Sequence, residues 1–101
     1  MKEIFTLTTF SIKGRAKCMD RPRVVGWFET KEQAVAYIES ESSLHLWEEG
    51  FYTHLLVERV SPGVYPETKD VAWYFWDKKR DGWTKIYRPQ QFENTCNFSI
   101  G

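Results

Sequence analysis

Trp73-Tyr74-Phe75-Trp76 sets four large aromatic side chains in a row. With Val71 and Ala72 before it and Asp77 after it, the run reads as a strand. Neighbouring side chains of a strand point to opposite faces of its sheet, so Trp73 and Phe75 face one way and Tyr74 and Trp76 the other. Both faces then carry bulky apolar surface that something must cover. The chain holds 7 Phe, 5 Trp and 5 Tyr, so the demand for cover is high.

Downstream, Trp83 to Arg88 reads as a second strand, joined to the first through Asp81-Gly82, a short-range hairpin signal. Upstream, Tyr52 to Val60 is a strand closed by Ser61-Pro62-Gly63, where Pro presets φ and Gly accepts positive φ. Ile4 to Ile12 alternates Phe and Leu with Thr and Ser, again a strand pattern. Lys13 to Pro22 is polar and reads as a loop, and Arg23 to Phe28 as a strand in which Gly26 marks a bulge or a close backbone approach. Thr30-Lys31-Glu32-Gln33 is a capping box, followed by Ala34, Val35 and Ile38 at helical spacing with Tyr37 at the margin. This helix is expected to end near Glu41. Leu44 to Gly50 suits a short helical turn stopped by Gly50. Pro89 to Gly101 is a tail containing Phe92, Phe98 and Ile100, too apolar for simple solvation.

The order strand, strand, helix, strand, strand, strand predicts an α+β fold: an antiparallel sheet of about five strands with one helix on one face. A helix about 10–12 Å across shelters two or three strands spaced about 4.8 Å apart, on one side only. The tail is expected to cover part of the second face. The remainder is expected to expose Trp and Tyr as an interaction site.

At 101 residues and 12.0 kDa the chain is expected to be one domain. No apolar run approaches the roughly 18 residues of a membrane span, and no signal-peptide pattern follows Met1, so the expected compartment is the cytoplasm. Cys18 and Cys96 fit free thiols there, with a Cys18–Cys96 disulfide left open. The formal charge of zero implies no bulk attraction to nucleic acid or membrane. Its distribution is bipolar. Residues 13–23 carry Lys13, Arg15, Lys17, Arg21 and Arg23 against Asp20, whereas residues 29–49 carry six glutamates against Lys31.

Chemistry-bearing motifs are lacking. Cys18, His45, His54 and Cys96 have no metal-ligand spacing, so no metal or cofactor is expected. Neither a nucleophile turn nor a phosphate-binding glycine loop occurs, and the chain is expected not to be an enzyme. Glu58 ends an apolar strand; if buried it needs a partner such as an Arg or a Tyr hydroxyl, and structural pairing outweighs acid–base work. Interface cores are enriched in Trp, Tyr, Phe and Arg, so protein binding is the leading reading. Its expected surface is Trp73, Tyr74, Trp76, Trp83 and Tyr87, with Lys78, Lys79, Arg80, Arg15, Lys17 and Arg21 around them. The expected partner is a host protein or a second copy of the chain, with no membrane partner. The same aromatics, with Lys85 and Arg88, suit base stacking and phosphate contacts, so a nucleic-acid or nucleotide module is the alternative. Against it stand the zero charge and the lack of an RNA-binding consensus. The plain alternative to both is that the aromatics fill a small core.

Two groups of residues carry a resemblance. The first is Val25-Gly26-Trp27-Phe28, the Thr30 cap with Ala34, and Leu46-Trp47-Glu48 before Phe51-Tyr52. The second is Leu56-Val57-Glu58, Gly63-Val64-Tyr65-Pro66, Trp73-Tyr74-Phe75-Trp76 and Asn97-Phe98-Ser99-Ile100-Gly101. Together, from about Val24 onward, they resemble a family of small proteins of phages, prophages and other mobile elements of gut bacteria. No activity is established for that family, so no functional residue transfers. The resemblance implies an accessory protein acting inside a bacterium, a kind that often antagonises antiviral defence by binding.

Overall fold

The computed structural model describes residues 3–12, 20–63 and 68–89, the side chains of Asp20, Arg21 and Glu49 excepted. Its elements are β1 (Ile4–Ser11), β2 (Asp20–Phe28), α1 (Lys31–Glu39), a 3₁₀ segment (Glu41–Gly50), β3 (His54–Val60), β4 (Thr68–Asp77) and β5 (Gly82–Ile86). The strands form one antiparallel sheet in the order β2-β1-β3-β4-β5. The expected α+β fold is the observed one. β2 and β5 are its edges, about 19 Å apart at ~4.8 Å per strand.

β2 begins at Asp20, earlier than its apolar run suggests, and so includes Pro22. A proline has no N–H for a ladder and is tolerated because β2 is an edge strand. Its pairing with β1 shifts register twice, each time with an extra residue in β2. Leu7 pairs with Gly26 and Thr8 with Val24, leaving Val25 as a bulge beside Gly26. A Cβ on Gly26 would meet nothing within 4 Å, so of the two expectations for this glycine the bulge is the observed one.

The β4–β5 connection differs from a two-residue turn. Asp77 pairs with Gly82, so the loop is Lys78–Asp81, with Asp81 in the left-handed region at φ 49°. Arg80 N–H donates to the Asp77 carbonyl at 3.1 Å, and Lys79 N–H to Asp77 Oδ1 at 3.0 Å. β4 also starts earlier than its apolar run, at Thr68. Val57 pairs with Ala72 and Glu58 with Asp70, so Val71 is the bulged residue between the polar and aromatic parts of the strand.

The capping box forms as its sequence dictates. Gln33 N–H donates to Thr30 Oγ1 at 3.1 Å, while Gln33 Oε1 accepts from Thr30 N–H at 3.3 Å and from Glu29 N–H at 3.0 Å. α1 ends at Glu39, earlier than expected, and the chain turns at Ser40–Ser43. Buried Ser43 is held there by contacts of its Oγ with the Ile38 and Ser40 carbonyls, at 2.6 and 2.9 Å. The 3₁₀ segment then continues the lid, with Gly50 at φ 97° closing it.

One core lies between sheet and lid. Leu7, Leu55, Val57, Ala72 and Tyr74 from the strands meet Ala34 and Ile38 of α1 and Leu46 of the 3₁₀ segment. A second cluster, Phe10, Leu56 and Trp73, lies on the opposite face and is also buried. The predicted alternation along β4 therefore holds: Tyr74 belongs to the lid side and Trp73 to the other. The expectation that the tail covers the second face falls on residues 90–101, outside the described residues.

Candidate partner-docking surface

The expected aromatic patch on β4 and β5 divides when its residues are placed. Trp73 and Tyr74 are each 3% exposed and belong to the interior. Trp73 meets Phe10 edge-on at 5.9 Å, and its Nε1–H donates to Asp70 Oδ2 at 2.7 Å. The indole is thus satisfied within the chain. Tyr74 lies beneath the lid, where burial, and then the Glu39 carboxylate, push its hydroxyl above the ordinary value.

Trp76 and Trp83 are half-buried because the 3₁₀ segment reaches them. Trp47 stacks on Trp76 with ring centres 4.6 Å apart and planes 6° from parallel. Trp83 meets Trp76 edge-on at 5.2 Å, and its Nε1–H donates to the Ser43 carbonyl at 2.9 Å. The lid therefore covers more strands than α1 alone would. Tyr87, by contrast, is 96% exposed. Lys78, Lys79 and Arg80 are exposed in the hairpin loop. Tyr87 lies five positions after Gly82, about 17 Å along a strand, so the cationic loop and Tyr87 sit at opposite ends of the hairpin. Arg15 and Lys17 lie outside the described residues, and Arg21 is placed by its backbone in β2.

The base-stacking alternative needs an open aromatic sheet face. Phe10, Leu56 and Trp73 are all buried, and Arg88 pairs with Asp70 at 3.2 Å. The pieces of that site do not converge.

Glu58 is fully buried, as its position in an apolar strand implied. Among the described residues the Thr68 hydroxyl donates to its Oε2 at 2.9 Å. Thr6 lies across from Glu58 on β1, and the buried Thr6 and Thr8 hydroxyls have no hydrogen-bond partner among the described residues. His45 is exposed on the 3₁₀ segment, while His54 stacks on Phe10 at 5.3 Å. Burial lowers the His54 pKa from 6.5 to about 4. Among the described residues no group of three or more potential metal ligands occurs, and Cys18 and Cys96 lie outside them.

The exposed apolar surface lies elsewhere. Trp27 is 61% exposed and Val24 45%, with Val25 beside them, all on edge strand β2. Trp27 pairs with Thr6 and Val24 with Thr8, which places both on the face opposite the lid. The bulged Val25 lines a groove of about 420 Å³ between β2 and the lid, to which Arg23, Trp27 and Phe28 of β2 and Tyr37, Leu46 and Glu48 also contribute. Sequence reasoning passed over β2 in favour of the denser aromatic run. Pro22 was the available signal, because a proline inside a strand marks an edge, and an edge strand lacks a neighbour to hide its side chains.

No helix among the described residues is long and apolar enough to cross a membrane. Compared with known proteins, the chain matches no family model, no curated protein and no solved structure.

Proposed function

We propose that the chain is a non-enzymatic binding protein of a phage or mobile element, acting inside a bacterium by docking on a host protein of an antiviral defence system. The setting comes from the resemblance described above. The docking reading is carried by one observation: Val24, Val25 and Trp27 stand exposed together on edge strand β2. An indole presents about 150–250 Å² of surface, so covering the exposed part of Trp27 is worth about 3 kcal/mol at ~25 cal/mol per Å². Exposed Trp of this kind supplies the anchors that dominate protein interfaces. Trp27 and Val24 offer a flat apolar contact, and Val25 leads to the groove on the other side of the same strand.

The test is affinity capture from a nuclease-treated bacterial lysate with the natural chain and with Trp27→Asp. Trp27 is exposed, so the substitution leaves the fold intact, which circular dichroism checks. The reading expects a protein retained by the natural chain and lost from the variant. Identical captures, or a capture abolished by nuclease, would overturn it.

A further inference from the structure

Resting on the docking reading above, we infer that the groove between β2 and the lid takes a short basic and apolar segment of a partner protein. An aromatic or branched aliphatic anchor fills the groove, and flanking Lys or Arg meets the carboxylates of the lid. Three features define this occupant.

The first is shape. The groove holds about 420 Å³, with buried Leu7 and Leu46 in its lining and Val25, Phe28 and Tyr37 around them. A single helical turn, 10–12 Å wide and 5.4 Å tall, occupies roughly that volume. A helix docked along its length needs several such turns, so the groove suits the anchor side chains of a short segment.

The second is charge. Glu29, Glu32, Glu39, Glu41 and Glu48 are all exposed on or beside the lid, against Lys31 on α1 and Arg23, which lines the groove from β2. The ion pairs among the described residues, Arg59–Glu3, Arg80–Asp77 and Arg88–Asp70, leave these five carboxylates unpaired. Glu48 lines the groove itself and sits at φ 48°, a left-handed conformation unfavourable for a side chain of this kind. A surplus of carboxylates on the lid favours a cationic segment over an anionic one.

The third is the form of the edge. Pro22 lacks an N–H, and two bulges break the regular row of edge groups along β2. A partner strand therefore cannot pair along the whole of β2, and recognition falls to side chains.

The test pans a displayed library of random linear peptides against the immobilised full chain. A synthetic copy of the enriched peptide is then titrated by fluorescence anisotropy at low and high salt. The inference expects enriched sequences that place an apolar anchor beside Lys or Arg. It also expects affinity that falls with salt, and a loss of about tenfold or more in both Val25→Asp and Glu48→Lys. Both positions are exposed, and the two substitutions act through different features, groove and rim. Acidic or uncharged peptides, no enrichment, or binding indifferent to both substitutions would overturn it. So would sedimentation as a dimer that Val25→Asp dissociates, since a second copy would then be the occupant. A Trp27-dependent capture that survives any of these outcomes leaves the docking reading standing while the groove inference falls; loss of that capture as well removes both.

Discussion

Replacing His54 with phenylalanine isolates one titrating group in the sheet. His54 stacks on Phe10, and its Nδ1 lies 2.7 Å from Thr53 Oγ1, which itself accepts from the Ile12 N–H at 3.1 Å. Accepting from Ile12 leaves the Thr53 hydroxyl its proton and one lone pair, so it can donate to a bare Nδ1 or accept from Nδ1–H. Protonating the ring puts a charge into a largely buried apolar stack, which is the cost that lowers its pKa. Folding lowers the pKa from 6.5 to about 4, so between these values the unfolded chain binds more protons than the folded one. Stability must then rise with pH across that window and fall as the solution is acidified. At about 1.4 kcal/mol per pH unit the full effect is about 3 kcal/mol. Between about pH 7 and about pH 5, with screening by the solvent that still reaches the ring, it is about 1–2 kcal/mol. Urea denaturation of the natural chain and of His54→Phe at these two pH values reads it directly. Carboxylates titrate in both proteins and cancel in the difference. The variant keeps a ring on Phe10 and should lose about 1–2 kcal/mol less on acidification. Equal losses would mean that His54 does not titrate with folding.

Other contacts predict their own outcomes. Trp47→Ala removes a parallel stack on Trp76 and opens the lid over β4 and β5. A loss of about 2–3 kcal/mol is expected in chemical denaturation, together with disappearance of any exciton couplet between the two indoles in circular dichroism. Unchanged stability would mean that the 3₁₀ segment is not part of the lid in solution. Glu58→Ala leaves a void and takes the acceptor from Thr68, so about 2–4 kcal/mol should be lost, whereas Glu58→Gln keeps an acceptor oxygen and should lose about 1 kcal/mol. A Gln variant as damaged as the Ala variant would show that the negative charge itself matters there.

Several features were legible in the sequence because they depend on local rules. Thr30 and Gln33 meet within one helical turn, so the capping box needs no tertiary information. The alternation of Trp73 and Tyr74 follows from strand geometry alone, whereas Gly26 reads equally as a bulge or a close approach, and only its pairing with β1 decides between them. The 3₁₀ lid was not legible in this way. Ser42-Ser43 reads as the end of a helix, and what continues the cover is a long-range bond from Trp83 to the Ser43 carbonyl and the stack of Trp47 on Trp76. Aromatic density was therefore a poor guide to exposure. Trp73, Tyr74, Trp76 and Trp83 are sheltered by partners far away in the chain, whereas Trp27 stays in water because β2 is an edge. Strand order decides that difference, and strand order is a property of pairing across the sheet, not of any one segment.

Site-specific photo-crosslinking tests the position of the docking surface most directly. A photoreactive residue is placed at Val25 in one preparation and at Tyr87 in another, both exposed and at opposite edges of the sheet. After irradiation in a nuclease-treated bacterial lysate, a docking surface on β2 gives a discrete protein adduct from position 25 and none from position 87. An adduct from position 87 alone would contradict it and return the interface to the β4–β5 edge.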